Sequence, residues 1–168
     1  MARLNLDFGD LNTYLNLVKS EVAEKAVEDI TTQLKIRGPY WTGEFEEAWE
    51  VTDGSPIPAD IPASGTKEDR LAAGPQPRQV TKLRAGVDFP SAPKKGPVNY
   101  AIGNRMEYRD IAQDLTAGRI KGGGNETADQ DWYVNYVQGG GLATTIQLST
   151  GKTTQDPKIK NFRGKIGK

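Results

Sequence analysis

Four carboxylates, Glu44, Glu46, Glu47 and Glu50, crowd one short stretch of this chain. Two carboxylates suffice for glycoside hydrolysis when one is held protonated beside an ionised partner. Here the four charges repel one another, and the sequence shows no apolar pocket nearby to raise one pKa alone. The cluster therefore reads as a solvated acidic turn or a charged subunit interface. Ser149 to Thr154, STGKTT, has the ending of a phosphate-binding loop, but Ile146 stands where that motif needs its first glycine. No histidine and no cysteine occur, which excludes disulfides, thiolate chemistry, His-ligated metals and His-based nucleophilic triads. No Asp-rich calcium-loop spacing is present. No cofactor is expected.

Charge is distributed unevenly behind a net value of zero. Residues 1–54 carry eleven acidic and five basic side chains, whereas residues 151–168 carry six basic and one acidic. Opposite ends can steer copies of a chain together or set one end against an acidic partner. The basic residues Lys158, Lys160, Arg163, Lys165 and Lys168, with Phe162 among them, are the only candidates for nucleic-acid contact, of a sequence-independent kind.

The elements that must position these groups begin with a long helix. Leu11, Leu15, Val18, Val22, Ala26, Ile30 and Leu34 recur in steps of three and four, which keeps them on one helical stripe. Asp10 is placed as N-cap, and Gly38-Pro39 as a left-handed stop after Lys35 and Arg37. The opposite face carries Glu21, Glu24, Lys25, Glu28 and Asp29, either solvated or facing a neighbouring subunit. Thr42 can cap a short turn through Phe45, after which Trp49 and Val51 alternate with Glu50 and Thr52 as in a half-buried strand. Trp41 and Trp49 should pack under the long helix.

Residues 53–79 hold five of the ten prolines and read as a loop, either a mobile arm or a segment that orders against another copy. Val80 to Phe89 reads as a strand. Tyr100 to Gly118 begins extended and turns helical, with Met106, Ile111 and Leu115 inward. Asp129 to Gln138 suggests a helix with Trp132, Tyr133 and Tyr136 in the core, broken by Gly139 to Gly141. Leu142 to Leu148 fits helix or strand equally, and residues 151–168 read as a polar, flexible tail. The expected fold is α+β: one domain over 1–150, its long N-terminal helix packed on a small antiparallel sheet around residues 47–53, 80–89 and 98–103, with a long Pro/Gly-rich hairpin loop. No segment approaches the length of a membrane span, and the start MARLNLDFGDLN lacks a secretory apolar run.

Two segments, YWTGEFEEAWEV (40–51) and NYAIGNRMEY (99–108), are similar to those of the bacteriophage tail-completion, or head-tail joining, family. Thr42, Gly43, Phe45 and Trp49 carry the resemblance in the first, and Tyr100, Ala101, Glu107 and Tyr108 in the second. It covers residues 11–52 and 80–118 and fades elsewhere. The resemblance implies a non-enzymatic virion protein made in a bacterial cytoplasm. It implies a tail-terminator-like ring at the head-tail junction, a hexamer because tail tubes are usually sixfold, that joins the tail tube to the connector. DNA would pass through the lumen without specific binding. Glu44, Glu46 and Glu47 and the basic residues of the tail would then be interface candidates. The alternatives are an adaptor or stopper of different stoichiometry, a carboxylate-dependent cell-wall hydrolase and a small DNA-binding packaging factor.

Overall fold

In the computed structural model, residues 8–40, 42–74, 76, 99–109, 112, 128, 131–157 and 159–160 are described. Helix α1 runs over Phe8–Arg37. Asp10 therefore lies within its first turn and not at the cap position expected of it. Among its described side chains Ala26, Val27, Thr31 and Leu34 are buried, Val18 and Val22 are half-buried, and Leu15 is 44% exposed. At 1.5 Å per residue a helix of this length spans about 45 Å, more than the small core beneath it can cover.

Gly38 ends α1 for a reason other than the expected one. The glycines with positive φ among the described residues are Gly43, Gly54, Gly65, Gly74 and Gly140, so Gly38 is not left-handed. Its N–H still bonds the carbonyl of Leu34 at 3.0 Å. What the position needs is space, since a Cβ there would sit 3.1 Å from Phe45 Cε1 and 3.4 Å from Trp132 Cη2. The left-handed residue is Gly43, with φ of 95°, which opens the single turn α2 (Glu44–Glu47).

Strand β1 (Trp49–Thr52) follows, with Trp49 and Val51 buried and Glu50 and Thr52 half-exposed. It pairs antiparallel with β2 (Ala101–Asn104), Trp49 opposite Asn104 and Thr52 opposite Ala101. The strand expected at 80–89 lies outside the described residues, as do Trp41, Ile111 and Leu115. The long connection is not wholly a loop. Ile61 makes a parallel bridge to Met106, and α3 covers Lys67–Ala73. Thr66 and Asp69 form a reciprocal capping box, Thr66 Oγ1 accepting the Asp69 N–H at 3.1 Å and Asp69 Oδ2 accepting the Thr66 N–H at 2.8 Å.

Helix α4 (Trp132–Val137) and α5 (Gly141–Thr154) are joined through Gly140 at φ 92°. The ambiguous Leu142–Leu148 segment is thus helical, and α5 packs along α1 and against α4. Its hydroxyls turn back on its own backbone: Thr144, Thr145, Ser149, Thr150 and Thr153 each lie 2.8–2.9 Å from the carbonyl four residues earlier. Helix runs past the expected tail boundary at 150, and Thr153 and Ile159 are buried, so the start of that tail is part of the packed domain. The core gathers Leu34, Phe45, Ala48, Trp49, Met106, Ala112, Trp132 and Tyr136. The fold is α+β.

Trp49 is 8% exposed in this cluster. Trp49→Ala is expected to cost about 3–5 kcal/mol of stability, read by denaturant or thermal unfolding. A variant that unfolds together with the parent would show that the indole does not support the core.

Candidate functional site

The two segments that carry the family resemblance meet around the ring of Phe45. Its centroid lies 5.9 Å from that of Trp49, 6.4 Å from that of Tyr108 and 6.2 Å from that of Trp132. The Trp49 and Trp132 contacts are edge-on and the Tyr108 contact is stacked. Asn104, 3% exposed, closes the arrangement from β2. Its Nδ2 donates to the Phe45 carbonyl at 2.7 Å and its Oδ1 accepts the Met106 N–H at 2.9 Å. Trp132 Nε1 donates to the Ala112 carbonyl at 2.9 Å.

The remaining motif residues surround this centre. Thr42 does not cap α2; Gly43 occupies the cap position, and Thr42 Oγ1 lies 3.5 Å from the Glu44 N–H. Ala101 opens β2. Glu107 Oε1 accepts the N–H of Ala63 at 3.1 Å. Tyr100 sits against Glu24 of α1, and burial together with that carboxylate raises its phenol above the ordinary value. Neither Asn104 nor Trp132 stands out in the sequence as part of this site, because the partners that define their roles lie far along the chain.

The acidic cluster is not an exposed quartet. Glu46 is buried and Glu47 exposed. Glu44 Oε1 accepts the Ser64 N–H at 3.1 Å, and Glu50 pairs with Arg105 at 2.8 Å. Three of the four are thus drawn into the fold, two of them by residues distant in sequence. Among the described residues no group of three metal-binding side chains occurs, and no helix is long and apolar enough to cross a membrane.

A second polar cluster joins α1 to α5. Ser149 Oγ, wholly buried, lies 2.8 Å from both Asp29 Oδ2 and the Thr145 carbonyl. It has one proton for two acceptors, and the charged one binds it more strongly. Lys25 and Lys152 reach the same carboxylate at 3.1 and 3.2 Å. Burial acts to raise the Asp29 pKa, but Ser149, Lys25 and Lys152 outweigh it and hold the carboxyl below the ordinary value. Part of the acidic face of α1 therefore meets α5 of its own chain, and Lys152, one charge of the basic C-terminal region, takes part in that contact. Ser149 and Lys152 have the spacing of a serine nucleophile and a lysine base. With 0% exposure, however, the hydroxyl has no access to a substrate. STGKTT itself lies in the last turns of α5, so its backbone N–H groups are not free to cradle phosphate. Lys160 is exposed; Lys158, Arg163, Lys165 and Lys168 lie outside the described residues.

Comparison with family models, with curated proteins and with solved structures gives no match.

Because the folded Asp29 pKa is lowered, its stabilisation is complete above the unfolded carboxyl value of about 3.9 and is lost as pH falls through the folded value. Thermal melts on the acid side should therefore decline more steeply for the parent than for Asp29→Asn. Parallel declines would assign the acid limb to other groups. Asn104→Ala is expected to leave the Phe45 carbonyl and the Met106 N–H without their buried partner, at about 1–3 kcal/mol each. Unchanged unfolding of that variant would show that water or another group replaces the amide.

Proposed function

We propose that this protein is a structural component of a tailed-phage virion, a tail-terminator-like ring at the head-tail junction that completes the tail tube and joins it to the connector. The observation that carries the reading is the convergence of the two resemblance segments. Phe45 and Trp49 from the first and Tyr108 from the second share one aromatic cluster, so residues separated in sequence act as one structural unit. The long α1 supports it as well. Leu15 on it is exposed, which offers a second copy an apolar contact that the monomer leaves uncovered.

The mechanism is assembly rather than catalysis. In a closed ring two different patches of each copy meet, and the acidic N-terminal third and the basic C-terminal region provide charge of both signs for such a contact. DNA passes through the lumen without specific binding.

The mass of the purified protein in solution, alone and with tail tubes, tests this reading. A sixfold ring of 18.3 kDa chains has a mass of about 110 kDa. A different closed stoichiometry points instead to an adaptor or stopper of the same junction. A protein that stays at the mass of one chain at high concentration and binds neither tubes nor connectors overturns the assignment.

A further inference from the structure

Residues 55–64 form an arm on the surface of the molecule that passes over Gly103 of β2 and along residues 105–109, which follow that strand. Between Asp53 and Thr66 only Ile57 and Ala63 are even half-buried, yet the arm is held at many points. A Cβ on Gly103 would come within 2.7 Å of Ile57 Cγ1, so the missing side chain of Gly103 forms the slot that Ile57 fills. The Ile61 N–H donates to the Arg105 carbonyl at 2.6 Å, and the Ile61 carbonyl accepts the Glu107 N–H at 3.1 Å. Arg105 Nε donates to the Ala59 carbonyl at 3.1 Å, and Arg109 pairs with Asp60. Glu107 and Glu44 then receive the N–H groups of Ala63 and Ser64.

Three features suit this arm to leaving its seat intact. Pro56, Pro58 and Pro62 bias it toward an extended conformation and reduce the entropy lost on docking. Gly54 at φ 90° and Gly65 at φ 65° bound it at both ends, in conformations that give the chain turning freedom there. The contacts are polar, exposed and individually weak, so no large buried surface resists release. The receiving surface is complementary to a segment of this same sequence, which decides the partner: a second copy offers every group that the first one does.

We propose that on assembly the arm of one copy docks on the Gly103 and 105–109 surface of its neighbour, with Ile57 in the neighbour's Gly103 slot and Asp60 on the neighbour's Arg109. Exchange of an identical element conserves the contacts while linking the copies. The proposal rests on the ring reading and specifies how its subunits are joined.

Charge reversal separates exchanged from self-docked arms. Asp60→Arg and Arg109→Asp are prepared as two separate proteins, each with like charges at this contact. When the two are mixed, exchange can restore opposite charges between alternating copies, so the mixture should assemble at about two- to fivefold lower concentration than either variant alone. A self-docked arm keeps its mismatch, and a mixture no better than its components overturns the proposal. An independent measurement uses the absence of cysteine from the chain. Ile57→Cys and Gly103→Cys proteins, mixed and oxidised at assembling concentration, should give a chain-to-chain disulfide on a non-reducing denaturing gel. Oligomers of normal mass without that crosslink, and with no rescue by charge reversal, would leave the ring in place and remove arm exchange. A chain that never oligomerises removes both.

Discussion

Phe45 ties distant parts of the chain to a single point. Its ring meets Trp49, Tyr108 and Trp132, its carbonyl accepts the Asn104 amide, and the missing side chain of Gly38 lets α1 close over it. Each contact constrains a different element: the start of β1, the segment after β2, helix α4 and the end of α1. Edge-on aromatic pairs contribute about 0.5–1.5 kcal/mol beyond the area they bury, so direction is fixed here together with burial. The segments around Phe45 and Tyr108 therefore specify one joint, built from aromatic shape and one amide.

Much of the framework was legible because it is periodic. The stripe of α1 and the alternation of Trp49, Glu50, Val51 and Thr52 follow from the geometry of a helix and a strand, and Trp132 and Tyr136 are buried as their size suggests. The limits of those elements were less legible. Burial of α1 stops short of Leu15 because a pattern of apolar residues does not say how far the opposing core extends. The prolines of 53–79 masked the capping box of Thr66 and Asp69, a local signal that was readable all along. Asn104 and Ser149 could not be read at all: their partners are 59 and 120 residues away, and buried polar side chains acquire their roles only when the chain has brought those partners together.

Two kinds of polar contact then divide the molecule. At the seam of α1 and α5 the Ser149 hydroxyl, wholly buried, bonds Asp29 where the low local dielectric strengthens the contact, and Lys25 and Lys152 reach the same carboxylate from the more exposed side. Beyond the end of β2, Arg105, Glu107 and Arg109, with Glu44 of α2, hold the arm where water competes for the same groups. Similar chemistry thus gives a durable connection in one place and a reversible one in the other. Burial makes the difference.

The hydroxyls of α5 bear on how the chain is made. A helix of threonine, serine and glycine whose side chains bond its own carbonyls has weak intrinsic propensity, so it owes its form to docking on α1. Its first residue, Gly141, follows Arg37 by about 100 residues. At about 5–20 residues per second, a ribosome needs on the order of ten seconds to supply it. Throughout that interval a nascent α1 has its seam with Asp29 unfilled, and the face that α5 later covers stays open to solvent until the protein can close on itself.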